Sequence, residues 1–376
     1  MIRFISKLLR GRRQRASVAG DFVAFVAMLP QRHEVRPEDE LYSDLASARL
    51  RMIIPARQLA RHIRVWLVPF TEFIRSPRLE HLGRAHATII GKLSSAEVVA
   101  EEARLRGLLS VLRRTAPAGR LLADVSDHYA ALGKAAGAPF LSEYQHGLGR
   151  ACELVVPTAA LAAALRRDAR RGLYIVEDPF ESAAAGPVRV RRGGTIQLAW
   201  FGSLSALNLP VIERGAAELA RTFAERSIHL EMVAQGAARD SVLSLKARMT
   251  GAFPRFSVGF TPWSLAATEA AMERSDFVWL PQDTRESWAA VRSHNRLVSA
   301  IRAGRFALAA PIPSYQELAP YAWVGDSLAD GLKWALANPE QAVERVRKGQ
   351  AYVDQRFSPE VIGRRWAQIL GVPPIT

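Results

Sequence analysis

Short apolar runs rich in Val, Ile, Leu and aromatic residues alternate with longer helix-patterned stretches, and they do so in both halves of the chain. Runs of this kind separated by helices pair in parallel, with the helices packed across the sheet faces. In the first half the expected strands are 22–29, 65–69, 87–91, 121–125, 154–156 and 173–176, with helices over 38–63, 96–114 and 158–170. In the second half they are 196–201, 229–233, 255–258, 277–280 and 306–310, with helices between them and on to the end. Glu177-Asp178-Pro179-Phe180 closes the sixth strand, and 181–192 is small-residue, Gly/Pro-containing and then basic, with Gly193-Gly194 ahead of the next strand. That composition reads as a linker. The expected organisation is a basic segment 1–20, a domain 21–180, a linker 181–194, a second domain 195–355, and a terminal helix in 356–376 crossing back to the first domain. The fold class is α/β, with two Rossmann-like domains facing a central cleft and ligands at the carboxyl ends of the strands.

Composition narrows the function classes. A chain of 376 residues is long enough for two domains, and a 49% hydrophobic, 23% charged composition suits a globular protein with a sizeable core. The single Cys152 excludes a disulfide framework and cysteine-rich zinc sites, and fits a reducing compartment. The net charge is +15, and the first twenty residues hold Arg3, Lys7, Arg10, Arg12, Arg13 and Arg15 without an acid. Phe4, Ile5, Leu8 and Leu9 interleave with them, the composition of an amphipathic segment that rests on an anionic membrane, or of a solvated terminus. No run approaches the ~20 apolar residues of a spanning helix. No nucleic-acid-binding motif accompanies the charge, so nucleic acid is not an expected partner. The expected location is cytoplasmic and peripheral at the inner membrane face.

The segment 288–304, WAAVRSHNRLVSAIRAG, concentrates chemistry. A helix is expected from about Ser293, and Arg292, Asn295, Arg296 and Ser299 fall at i, i+3, i+4 and i+7 on one face. Arginines at a helix start oppose the backbone dipole, a conflict that a bound anion relieves. The alternative is a solvated start capped by Ser293. A second segment, LAWFGSLSALNLP over 198–210, runs a buried strand into Gly202-Ser203. Gly202 admits a ligand close to the backbone and Ser203 can bond a phosphate, although a plain strand-to-helix turn reads the same way.

Four features taken in order resemble the C-terminal domain of GT-B fold glycosyltransferases, especially family 4-like bacterial enzymes. They are WFGS followed by an Asn; Phe260-Thr261-Pro262-Trp263 at a strand end; SDFVWLPQD with SHNRLVSAIRAGRFALAAPIPSYQEL; and Phe357-Ser358-Pro359 with Trp366. The resemblance implies that Arg292, Asn295 and Arg296 meet the donor diphosphate, with Gly202-Ser203 opposite and Ser299 on the same face. Retaining members of that family carry a Glu-x7-Glu pair, and those positions are Val291 and Ser299 here. No acid therefore stands where the family often grips the donor ribose.

The N-terminal half would hold the acceptor. Lys92 follows a strand and can contact an anion, and Asp127 and His128 can act as general base on a hydroxyl. Against this, Asp124 or Asp127 can simply cap the next helix. His146 is a further acceptor or phosphate contact, or a structural histidine. Gly147 and Gly149 resemble half of a dinucleotide fingerprint without a strand before them. The chain holds no Asp-x-Asp, HExxH, P-loop or GxSxG, so neither a metal nor a cofactor is expected, the nucleotide-sugar being a co-substrate. The expected activity is metal-independent sugar transfer from a nucleotide-diphospho-sugar to a hydroxyl of a glycan, glycolipid or protein, in bacterial surface polysaccharide or glycolipid synthesis. The alternatives are a catalytically silent GT-B-like scaffold that binds glycan or nucleotide, which the missing Glu pair favours, and a nucleotide-sugar epimerase.

Overall fold

The computed structural model describes residues 22–75, 85–114, 119–182, 184–190 and 194–372. The basic segment 1–20 lies outside them. The chain divides into two compact units, residues 1–179 with 359–376, and residues 180–358.

The first unit is built on a seven-stranded sheet. Its strands are β1 (Phe22–Ala27), β2 (His33–Val35), β3 (Arg64–Pro69), β4 (Ala87–Ile90), β5 (Arg120–Asp124), β6 (Glu153–Val156) and β7 (Leu173–Ile175), in the order β2-β3-β1-β4-β5-β6-β7. All pairs are parallel except β2 with β3. The strand order reverses between β1 and β4, where Gly91 lies so close to β1 that a Cβ there would sit 2.6 Å from the Val26 carbonyl oxygen. Side chains set the helix starts. Ser94 and Glu97 form a capping box for the helix Ser95–Ala100, and Thr158 caps Ala159–Leu165. The terminal helix Pro359–Leu370 belongs to this unit, and its Trp366, fully buried, packs edge-on to Phe25 with ring centroids 5.7 Å apart.

At the carboxyl ends of β5 and β7 lies a buried charge cluster. Arg51, on a helix over residues 46–59 containing a π turn at Arg49–Ile53, is 1% exposed. It donates to Asp124 Oδ2 at 2.9 and 2.6 Å, to Asp178 Oδ1 at 3.1 Å and to the Val176 carbonyl at 2.5 Å. Burial opposes the guanidinium charge and the two carboxylates outweigh it, so the Arg51 pKa is raised. Burial likewise pushes the Asp124 carboxyl above its usual range against the pull of Arg51. With two guanidinium N–H groups on one oxygen, the ion pair is the form this geometry supports. Asp124 thus neither caps a helix nor serves as a base. The Cys152 thiol is also buried, and burial pushes it up to about 12.

The second unit carries six parallel strands: β8 (Ile196–Phe201), β9 (Ile228–Ala234), β10 (Phe256–Pro262), β11 (Phe277–Leu280), β12 (Phe306–Ala309) and β13 (Trp323–Val324). Their order, β10-β9-β8-β11-β12-β13, is the doubly wound 3-2-1-4-5-6 arrangement. Along β8 alternate side chains enter separate cores, Leu198 and Trp200 on one face, Ala199 and Phe201 on the other. Helices therefore cover both faces, as the continuous apolar strands require. The stretch expected to be a linker is docked on this unit: Gly186 N–H donates to the Arg302 carbonyl, and Arg305 donates to the Pro187 carbonyl. No helix among the described residues is long and apolar enough to cross a membrane.

Candidate functional site

Strand order in the second unit reverses between β8 and β11, which leaves a crevice at their carboxyl ends, the place where open α/β sheets take ligands. β8 ends at Phe201, and Gly202 follows with φ +143°, a backbone conformation that disfavours every residue with a side chain. A Cβ at Gly202 would stand 3.3 Å from Arg296 Nη1. The bare backbone is what lets the guanidinium lie against it, donating to the Phe201 carbonyl at 3.4 Å. Among the described residues no carboxylate pairs with Arg296, so its charge is left for another anion.

Side chains fix the loop beyond Gly202. Asn208 Nδ2 donates to the Ser203 carbonyl and Asn208 Oδ1 accepts from Ser205 N–H, both at 2.8 Å. Gln235, just past β9, clasps Leu204 from both sides: Leu204 N–H donates to its Oε1 at 3.0 Å, and its Nε2 donates to the Leu204 carbonyl at 2.5 Å. Ser203 is exposed on this tethered loop.

Opposite stands the helix Asn295–Arg302. It begins two residues later than expected, and the residue at its cap is His294 rather than Ser293. No side chain caps it and its first turn holds no acid, so its leading N–H groups and dipole lack a protein anion. Arg292 consequently does not share the helix face with Asn295, Arg296 and Ser299. A short helix, Ser287–Ala290, intervenes, and Arg292 sits in the turn with its guanidinium 4.8 Å from the centre of the Trp288 ring. Ser299, half-buried, donates its hydroxyl to the Asn295 carbonyl at 2.8 Å, within its own helix.

Two contacts brace the turn before this helix. Ser314 Oγ donates to the Arg292 carbonyl at 2.7 Å. His294, 3% exposed and edge-on to Phe357, reaches Glu317 Oε1 through Nε2 at 2.8 Å. Sequence reading missed His294, Ser314, Glu317 and Gln235. Only the Asn after WFGS gave a signal for the loop.

In the first unit Lys92 and Asp127, beyond the ends of adjacent β4 and β5, form an ion pair of 2.7 Å, both partly exposed. His128 is next, at the cap position of the helix Tyr129–Ala136, without capping it. Its Nδ1 is buried with no hydrogen-bond partner. Burial lowers its pKa, and the negative Asp168 offsets this only in part, so the imidazole stays neutral, the form a base requires. His146 is exposed on the helix Phe140–Ala151, with Nε2 3.2 Å from Asp168 and Nδ1 2.6 Å from the Ser142 carbonyl. The structure bonds it to none of Lys92, Asp127 and His128. Gly147 and Gly149 lie within that helix, where they admit Leu109 and the Asp168 carbonyl, so they are packing residues and not a phosphate loop. Among the described residues no group of three His, Cys, Asp or Glu is placed to hold a metal ion.

No protein-family model matches the chain. No curated protein sequence matches it either. Solved structures do match. TarM superposes with a TM-score of 0.57 at 11% identity, over 78% of this chain and 56% of that one, so this chain spans little more than half of TarM's length. HepE of Anabaena, solved in complex with UDP, gives 0.57 at 14% identity over 93% and 99% of the two chains. The E. coli trehalose-6-phosphate synthase bound with UDP-2-fluoro glucose gives 0.59 at 11% over 98% and 96%. At these identities the likeness is one of fold: the chain has the paired Rossmann-like units of the GT-B class, as its two parallel sheets indicate.

Proposed function

We propose that this protein transfers a sugar from a nucleotide-diphospho-sugar to an acceptor hydroxyl, with the donor held by the second unit. The observation that carries the reading is Arg296, unmatched by any acid among the described residues, lying on Gly202 beside an uncapped helix start. Two phosphates offer the negative charge and acceptor oxygens that this arrangement lacks. UDP in HepE and UDP-2-fluoro glucose in the trehalose-6-phosphate synthase support a nucleotide-sugar as the occupant. Asn295 and Ser203 would bond the donor from either side, with Arg292 adding charge from the turn. Arg296 stabilises the diphosphate as it departs, since the positive charge is in place before the bond breaks.

The first unit takes the acceptor, with Lys92 and Asp127 orienting a hydroxyl and neutral His128 receiving its proton. The acceptor we assign is a glycan or glycolipid of a bacterial surface, reached from the inner membrane face, and the reaction needs no metal ion. Incubating purified protein with UDP-sugars and glycan acceptors in excess chelator tests this reading. Product formation is the expected result, and turnover that only a divalent ion restores would contradict metal independence. If His128 is the base, the acid limb of kcat/KM lies below the ordinary imidazole value of ~6.5, because burial keeps the base form available at lower pH. A limb at or above that value contradicts the assignment.

A second reading, a silent binder of glycan or nucleotide, is favoured by Val291 and Ser299 at the positions of the Glu pair. It predicts nucleotide binding without turnover.

A further inference from the structure

At the carboxyl edge of its sheet the first unit has already used the groups that hold anions elsewhere. Three helices start there, after β4, β5 and β6. At Ser95–Ala100, Ser94 Oγ accepts from Glu97 N–H at 3.2 Å and Glu97 accepts from Ser94 N–H at 2.7 Å. In the first turn of Tyr129–Ala136, Ala130 N–H donates to Gln145 Oε1 at 3.0 Å. At Ala159–Leu165, Thr158 Oγ1 accepts from Leu161 N–H at 3.1 Å. A phosphate at any of these starts would compete with a side chain bonded there. The uncapped helix Asn295–Arg302 of the second unit is the contrast.

Side-chain charge points the same way. Lys92 is met by Asp127 at 2.7 Å, and Arg51 by Asp124 and Asp178. This cluster sets two cations against three carboxylates, which leaves one negative charge. Glu177 nearby is paired with Arg365. An anion entering beside Lys92 therefore meets a surplus of its own sign.

Unmet hydrogen bonds say what does fit. Asp124 is 2% exposed, and both of its bonds to Arg51 fall on Oδ2, so its buried Oδ1 has no partner. The Ser126 hydroxyl, two residues on, is likewise buried without a partner, as is His128 Nδ1. Buried polar atoms of this kind nearly always have one. A carboxylate oxygen accepts only from a donor. Hydroxyl and ammonium groups are donors, whereas a phosphate dianion and a second carboxylate are not.

We propose that the sugar unit bearing the reacting hydroxyl carries no phosphate or carboxylate, and is a neutral or amino sugar. The inference rests on the sugar-transfer reading and narrows its acceptor. It gives Lys92 the task of holding Asp127 rather than an acceptor phosphate.

The test is binding of the full chain, followed by ligand-observed NMR, to the methyl glycosides of glucose, galactose and mannose and to their 2-amino, 6-phosphate and uronate counterparts. The expected result is that the neutral and amino members bind about tenfold more tightly, or better, than the phosphate and uronate of the same sugar. Asp127→Asn, which leaves Lys92 without that carboxylate, should narrow the ratio by about tenfold. The ratio is the readout because a general loss of affinity leaves it unchanged. Thermal melting checks that the variant is folded, and the wild-type ratio decides alone if it is not. Charged members that bind as well as neutral ones, or a ratio that Asp127→Asn leaves unchanged, would overturn the proposal while the acceptor assignment stands. If no member of the set binds, the acceptor assignment falls and the proposal with it.

Discussion

Replacing Arg296 with alanine is expected to lower kcat/KM for nucleotide-sugar turnover by about a hundred- to a thousandfold, the range for removing one preorganised donor to a developing negative charge. The effect is large because Arg296 is not a surface arginine with alternatives. Its guanidinium lies against Gly202, bonds the Phe201 carbonyl, and has no carboxylate partner among the described residues. Lysine at this position restores charge but not the planar fork, so Arg296→Lys should recover only part of the loss. The control is Arg285→Ala, whose guanidinium is exposed and occupied by Asp283, and which should change turnover little. Steady-state kinetics with the three variants decides it.

The second large effect is on stability. Arg51→Met keeps the volume of the side chain but leaves Asp124 and Asp178 buried without their cation. Removing one partner of a buried pair costs about 3–5 kcal/mol, and for a domain of this size that lowers Tm by on the order of 10 °C. The pH dependence has a definite sign. In the variant Asp124 is buried without a counter-charge, so its folded pKa is raised above the unfolded value, and the deficit is relieved where both states are protonated. The gap between variant and wild type should therefore narrow as pH falls toward ~4. Melting curves across pH check both magnitude and direction.

How much of this was legible in the sequence follows from what each feature depends on. The long parallel strands were, because buried strands write themselves as apolar runs; β8 and β11 are where the pattern expected them. β2 and β13 were not, being three and two residues long, too short to show a period. The helix Phe140–Ala151 was hidden by Gly147 and Gly149, which resembled half of a dinucleotide fingerprint, whereas in the structure Leu109 and the Asp168 carbonyl fill the space beside them. In the second unit the nearness of Gly202 to Arg296 was legible while the start of the helix was not, because that start depends on His294 bonding Glu317, 23 residues away. The cluster of Arg51, Asp124 and Asp178 joins residues 73 and 127 apart, a pairing only the folded sheet creates.

The central claim is that the crevice beside Gly202 and Arg296 holds a nucleotide-diphospho-sugar. Its most direct test is a thermal-shift titration of the wild type and of Arg296→Ala with UDP-, GDP-, dTDP- and CMP-sugars. One nucleotide class should raise the wild-type melting temperature in a saturable way, approaching the ~2.7 kcal/mol expected at a hundredfold excess over Kd, and the variant should show little of it. If no nucleotide-sugar stabilises the wild type, or if Arg296→Ala is stabilised equally, the donor site is not where these residues place it.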